Sequence, residues 1–222
     1  MCRKLIAIVS AIVGSGAMLF AQAPQAPKQP SPDGIASTQV LGAYVKPAGR
    51  GAPALGGANY EGGKWIEILY GRPLKRGRDL WGSGDTYGRD ALVGSPIWRA
   101  GANVTTRLRT EVPLIIGGKT IAAGEYTLFI ELKEHNWTFV VSTWPAQLQY
   151  DPATSLSNKN ALWGSYGYTP AKDVLRTPMT IETLPHVTEE LTWEFVDMTP
   201  TGGAMAIRWD KVMASVPFTV AK

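Results

Sequence analysis

The segment between residues 72 and 103 combines arginines with aromatic rings, which are residue types that could bind a ligand. It contains Arg72 and Arg78, and its stretch PIWRAGANVTT (96–106) includes Trp98, Arg99 and Asn103. A guanidinium offers a planar fork of donors to a carboxylate or phosphate, and an aromatic ring can stack on a sugar or a cation. These five residues are the candidate ligand contacts, and the expected ligand is a carbohydrate or an anionic small molecule.

The same residues could instead stabilise a corner of the fold. Arg99 is followed by Ala100 and Gly101, whose small size lets the backbone pass close to a neighbouring element. In this interpretation Arg99 forms an ion pair with a carboxylate from later in the chain, and Asp173 and Glu190 are the expected partners. The sequence favours this structural interpretation.

The charge distribution leaves the same two interpretations open. Residues 72–109 contain eight lysines and arginines and three acids, whereas the chain from residue 110 onward contains eight bases and twelve acids. Such a basic segment either binds anions or pairs with the acidic remainder. Charge runs are most often internal or solvated, and that is the favoured interpretation here.

Residues for catalysis or metal binding are few in this sequence. His135 and His186 have no partner at ligand spacing, so no metal site and no cofactor are expected. No Gly-x-Ser-x-Gly nucleophile motif is present. A carboxylate pair for glycoside hydrolysis could be drawn from four glutamates, although strand alternation would direct them outward. These four are Glu131, Glu182, Glu190 and Glu194.

The first residues predict export. Arg3 and Lys4 precede an uncharged run over residues 5–20 that ends in small residues, which is the pattern of a signal peptide over residues 1–23. The run is shorter than a bilayer-spanning helix, so no transmembrane segment is expected in the mature chain. Its removal would also remove the single cysteine, Cys2. The expected location is the periplasm or the exterior.

Removal of the signal peptide would also change the charge. The basic count would fall from 22 to 20 against 18 acids, so the formal charge would fall from +4 to +2. An exported chain with so little net charge is not expected to bind nucleic acid. The proline-rich residues 24–36 predict a disordered tether, and residues 37–222 are expected to form one folded domain.

The pattern of apolar residues in this domain predicts β-strands. The runs STQVLGAYV and KWIEILY flank a glycine-rich loop and predict a hairpin, and a strand is expected to start near Asn103. Gly117 and Gly118 predict a tight turn within LIIGGKTI. Four further runs, VLRTPMTIE, ELTWEFVDM, AMAIRWD and SVPFTV, predict separate strands. About nine strands without a sustained helical period predict an all-β antiparallel β-sandwich, immunoglobulin-like or jelly-roll-like.

Several motifs, in order along the chain, carry a family resemblance. They are LYGRP, RGRDLWG, IWRAGAN, IAAGEYTLF, WTFVVS and LWGSYGY. Together they resemble the Domain of Unknown Function 2911 family of exported bacterial proteins, over roughly residues 38–220. The resemblance implies an exported β-rich domain without an established ligand or reaction. Its hallmark positions here would be Arg72, Pro73, Gly77, Arg78, Trp98, Arg99, Gly101, Asn103, Gly124 and Tyr126.

The chain departs from the family pattern in two stretches that look longer, residues 46–63 and SGDTYGRDALVGSP. From the sequence we expect an exported β-sandwich that acts as a binding or interaction module. The alternative is an envelope hydrolase that acts on carbohydrate or ester substrates.

Overall fold

A computed structural model describes residues 29–45, 59–148, 150, 165 and 167–222. The expected signal peptide, the first part of the tether and most of the glycine-rich loop lie outside the described residues. No helix among the described residues is long and apolar enough to cross a membrane.

Most of the regular secondary structure in the described chain is β-strand. Short helical turns occur at Gly84–Thr86, Arg89–Leu92 and Pro170–Lys172. The strands are β1 (Asp33–Val40), β2 (Ala43–Val45), β3 (Asn59–Glu61), β4 (Lys64–Gly71), β5 (Arg107–Thr110), β6 (Leu114–Ile116), β7 (Lys119–Ile121), β8 (Gly124–Glu131), β9 (Thr138–Ser142), β10 (Asp173–Pro178), β11 (Thr180–Thr199) and β12 (Gly202–Val220).

The strands form two principal antiparallel sheets that share one core. One sheet has the order β1-β4-β5-β8-β9-β10, the other has the order β11-β12-β6-β7, and β2 and β3 form a separate hairpin. Alternate residues such as Ile66 and Ile68 of β4 and Met205 and Ile207 of β12 are buried in that core. The predicted all-β antiparallel sandwich is confirmed.

Strand β8 is buried on both faces, which the sequence did not indicate. Leu128 and Ile130 belong to the main core, whereas Phe129 packs with Ile97 and Val140 in a second cluster. The partly buried rings of Trp144 and Tyr168 pack against this second cluster. The outer face of this sheet is therefore covered at β8 and β9.

The N-terminal boundary of the domain differs from the expected one. β1 begins at Asp33, so the tether prediction is wrong for residues 33–36, and the domain begins before residue 37. Asp33 pairs with Gly71 and Ala36 with Ile68, and the N–H of Arg72 donates to the carbonyl of Pro32. Ladder hydrogen bonds and the burial of Ala36 outweigh the low strand propensity of this segment.

Two other expectations about strands also need correction. β5 begins at Arg107 and not near Asn103, because Asn103 has a left-handed φ of 61° and the N–H of Val104 closes a turn onto Ala102. The four late strands are continuous parts of longer ones, since VLRTPMTIE spans β10 and β11 and the rest falls in β11 and β12. The predicted turn at Gly117 and Gly118 is confirmed, with φ values of 54° and 78°.

Irregularity in β11 makes room for a segment that defines the site. Its register against β12 shifts between Thr183 and Thr188 and again before Thr192. Residues 72–78 dock at this point, where the N–H of Lys75 donates to Glu189 and the N–H of Leu191 donates to Pro73. A β-bulge bends a strand and redirects its side chains. Here it brings Glu190 beside the basic segment.

Candidate functional site

All five candidate ligand contacts line one cleft. Its volume is about 550 Å³, and its walls come from residues 30–32, 72–78 and 90–103, together with Tyr150 and Trp209. Among the described residues, the charged side chains that line it are those of Arg72, Arg76, Arg78, Arg99 and Asp90. The structure thus places the five candidate residues around one cavity, whose volume is in the range that holds small molecules.

Stacked indoles form the base of this cleft. Trp98 is only 2% exposed and lies nearly parallel to Trp209, with ring centroids 6.1 Å apart and 8° between the planes. Trp81 and Trp137 approach Trp98 edge-on at 5.7 and 5.9 Å. An indole that is covered in this way has no open face for a sugar ring. Trp98 therefore shapes and stiffens the base of the cleft.

Arg78 is held in place without being neutralised. Its Nε donates to the carbonyl of Lys75 at 2.9 Å and its Nη2 to the carbonyl of Leu74 at 2.8 Å. Its guanidinium carbon lies 5.5 Å from the centroid of the Trp209 ring. No carboxylate of the described chain forms an ion pair with Arg78. Neutral acceptors thus fix the orientation of a cation whose charge remains available to a ligand.

Arg72 is held differently. Its Nη2 donates to Oε2 of Glu190 at 2.5 Å, and both side chains are about one-third exposed. This hydrogen bond and the charge of Glu190 raise the pKa of Arg72 above its ordinary value, against the opposing effect of burial. The positive charge of Arg72 is already compensated within the protein.

Internal pairing also accounts for other bases of the basic segment. Lys75 lies 3.5 Å from Asp210, and Arg107 and Arg109 both donate to Glu125. The favoured interpretation of the charge distribution is confirmed for these residues and for Arg72. It does not cover Arg76 or Arg78, whose side chains form no ion pair with a described carboxylate and line the cleft.

Asn103 connects the cleft to the N-terminal segment. Its side chain is 4% exposed, and its Nδ2 donates to the carbonyl of Ser31 at 2.6 Å. This hydrogen bond fixes residues 30–32 as one wall of the cleft. Asn tolerates the left-handed backbone found here better than most residues do.

Arg99 is partly buried, and its Nε donates to the carbonyl of Gly101 at 3.3 Å. The sequence suggested Asp173 or Glu190 as its partner. The structure instead pairs Asp173 with Arg176 and Glu190 with Arg72. The reason is local, because Arg176 lies on the same strand as Asp173 and the β11 bulge presents Glu190 to Arg72.

The backbone around the cleft is strained. Left-handed φ values occur at Arg76 (52°), Val93 (50°), Ala100 (53°) and Asn103 (61°). This conformation costs about 1–2 kcal/mol for a residue with a Cβ and is least favourable for a β-branched side chain such as that of Val93. Such strain persists where the surrounding structure imposes it, and it is concentrated at functional sites.

Of the residues considered for hydrolysis, Glu190 alone among the described ones lies beside the cleft, where it pairs with Arg72. The side chain of His135 is 93% exposed in the β8–β9 turn, and His186 is exposed on β11. Glu131 pairs with Lys133 and Arg176, Glu194 pairs with Arg208, and Glu182 is exposed. Within the described ranges, no group of three or more metal-ligating side chains is close enough to hold a metal ion.

Some residues of the cleft were not singled out from the sequence. Ser31 was assigned to the disordered tether, and Trp209 was recognised only as a strand residue. Arg76 is adjacent to a glycine in RGRDLWG and was counted only as part of the charge run. The sequence offered one relevant signal for these residues, the acidic excess after residue 110. It indicated that some bases of residues 72–109 would form ion pairs, but it did not show which bases would stay unpaired.

A comparison with known protein families assigns the chain to one of them. A family model described as "Protein of unknown function (DUF2911)" matches residues 56–218. The chain belongs to this family. The DUF2911 match contains the cleft walls at 72–78 and 90–103 and Trp209, whereas residues 30–32 lie before it. No curated protein and no solved structure matches the chain.

Proposed function

We propose that this DUF2911 protein is a binding module that holds an anionic ligand in the cleft above Trp98 and Trp209. The observation that carries the proposal is the state of Arg78, which is oriented by two backbone carbonyls and has no carboxylate partner among the described residues. A guanidinium fixed in advance loses little conformational entropy when it binds a carboxylate, sulfate or phosphate. Arg76 adds a second positive charge on the same wall.

Thermal-shift measurements with carboxylates, sulfate esters, phosphate esters and neutral glycans test this function. Ligand binding raises the apparent stability of the protein that binds it. We expect anions to raise the Tm of the wild type, and Arg78→Gln to abolish that rise. Lys119→Gln is the matched control, because it removes one positive charge from the exposed β6–β7 hairpin. A response to neutral glycans alone, or an anion response that persists in Arg78→Gln, would contradict the proposal.

We further propose that the protein acts outside the cytoplasm. The support is the sequence pattern over residues 1–23, with two basic residues before an uncharged apolar run. Mass spectrometry of the protein from its native cell envelope should find an N-terminus between residues 22 and 27. Intact Met1 on cytoplasmic protein would refute export and would leave the ligand-binding proposal untouched.

A further inference from the structure

The cleft holds two of its arginines by different means, and this difference has a consequence for the ligand. Arg72 is bound to a carboxylate, Glu190, at 2.5 Å, whereas Arg78 is bound to two neutral carbonyls. A carboxylate both orients a guanidinium and cancels its charge. A carbonyl orients it and leaves the charge in place.

We infer that Glu190 is a specificity-determining residue that keeps Arg72 from binding the ligand, so that the cleft accepts molecules with one anionic group on an uncharged body. This inference rests on the proposed function. The anionic group would lie at Arg78 and Arg76, and Glu190 would act through Arg72 as a positioning residue.

The hydrogen bonds of Arg78 define where the anionic group can bind. Nε and one hydrogen of Nη2 are used by the carbonyls of Lys75 and Leu74. A guanidinium has five N–H donors, so both hydrogens of Nη1 and one of Nη2 remain. These donors form an end-on fork that matches the two oxygens of one carboxylate or sulfate.

Apart from Arg99 and Asp90, the rest of the cleft suits an uncharged body. Several of its lining residues are apolar, namely Pro30, Pro32, Pro73, Val93 and Ala102. A second anionic group placed near Arg72 would also approach the carboxylate of Glu190. The two negative charges would repel each other, and this repulsion would select against a ligand with a second anionic group.

Calorimetric titration with benzoate and benzene-1,3-dicarboxylate at neutral pH tests the inference. The two probes share a ring and differ by one carboxylate. We expect the wild type to bind benzoate at least about threefold more tightly than the dicarboxylate, because the carboxylate of Glu190 repels the second anionic group. Glu190→Gln keeps an acceptor for Arg72 but removes the charge, so we expect the dicarboxylate to bind about tenfold more tightly than benzoate.

Two further variants keep the inference testable. Arg72→Gln leaves Glu190 without its counter-ion, so the affinity for the dicarboxylate should fall relative to that for benzoate, even if Glu190→Gln does not fold. Glu125→Gln is the control, since it removes a carboxylate that pairs with Arg107 and Arg109 and does not line this cleft. It should leave the ratio of the two Kd values unchanged.

The outcomes separate the inference from the proposed function. If the wild type binds neither probe and no other anion raises its Tm, the anion-binding function itself is wrong. If the wild type binds benzoate through Arg78, yet Glu190→Gln and Arg72→Gln leave the Kd ratio unchanged, the inference alone is wrong. A wild type that binds the dicarboxylate as tightly as benzoate, or more tightly, would also overturn it.

Discussion

Trp98 and Trp209 lie in parallel contact, with 6.1 Å between ring centroids and 8° between ring planes. This stack joins the segment before β5 to the middle of β12. The Nε1 of Trp209 also donates to the carbonyl of Glu189, which ties the same indole to β11. One pair of rings thus connects three parts of the chain beneath the cleft.

Removal of one ring of this pair should destabilise the whole domain. Trp209 is 4% exposed, so Trp209→Ala should lower the free energy of unfolding by about 3–5 kcal/mol in urea titrations. Trp65 is 45% exposed, and Trp65→Ala should cost less than about 1 kcal/mol. Equal losses in the two variants would show that the stack does not stabilise the fold.

Gly71 should tolerate no larger residue. A Cβ at this position would lie 2.1 Å from the carbonyl oxygen of Ala102, and backbone atoms cannot move aside easily. We expect Gly71→Ala to lower the free energy of unfolding by about 3 kcal/mol. A Cβ at Gly77 would meet no atom within 4 Å, and the left-handed φ of 69° is then the remaining source of strain. Gly77→Ala should therefore lower the free energy of unfolding by about 1–2 kcal/mol. A milder effect at Gly71 than at Gly77 would contradict the close approach of Ala102.

Two substitutions of Asn103 separate its hydrogen bond from its backbone conformation. Asn103→Gly keeps the left-handed φ accessible but loses the bond to Ser31, which should cost about 1–2 kcal/mol. Asn103→Ala loses the bond and adds backbone strain, so its cost should be about 1 kcal/mol greater. Chemical denaturation of both variants measures the difference. A more stable Ala variant would show that the left-handed conformation is not required.

Acid should weaken the fold through Glu125 and Glu131. Burial raises the pKa of each carboxyl, but hydrogen bonds from Arg109 and Arg107 lower the pKa of Glu125 below its ordinary value. For Glu131, a hydrogen bond from Lys133 and the charge of Arg176 do the same. Because the pKa is lower in the folded chain, this stabilisation is complete above the unfolded pKa of about 4.3 and is lost as the pH falls through the folded pKa.

Urea titrations at several pH values test this expectation. The free energy of unfolding should decrease between about pH 5 and about pH 3, and the decrease should be smaller in Glu125→Gln. Asp33→Asn is a suitable control because Asp33 forms no described ion pair with a base. If Glu125→Gln shows the same pH dependence as the wild type, the pairing with Arg107 and Arg109 does not contribute to acid sensitivity.

Local patterns predicted those parts of the fold that depend on neighbouring residues. The turn at Gly117 and Gly118 follows from the two glycines, and β4 coincides with the predicted strand run KWIEILY. β1 was missed at its start because its pairing with β4 is a tertiary contact. The second face of β8 was missed because Phe129 is covered by residues distant in sequence.

For the candidate site, too, the sequence predicted what depends on residue type and missed what depends on tertiary contacts. Arg72, Arg78, Trp98, Arg99 and Asn103 were nominated by residue type, and all of them line the cleft. The partner of Arg72 could not be foreseen, since it depends on a bulge in β11 at 118 residues' separation. Arg76 and Arg78 could not be distinguished from the paired bases, because only the three-dimensional contacts show which charges are compensated.

The cleft is built from segments that lie far apart in the sequence, and this limits when it can form during folding. Three hydrogen bonds hold its walls in place. They run from Asn103 to Ser31, from Arg72 to Glu190 and from Trp193 to Ala100, and they span 72, 118 and 93 residues of sequence. Contacts of this range close large loops, so we expect them to form later in folding than local hairpins such as β6–β7. A nascent chain therefore has no complete cleft until β12 has been synthesised. The proposed ligand binding would then require the finished domain, and no fragment that stops short of Trp209 should show it.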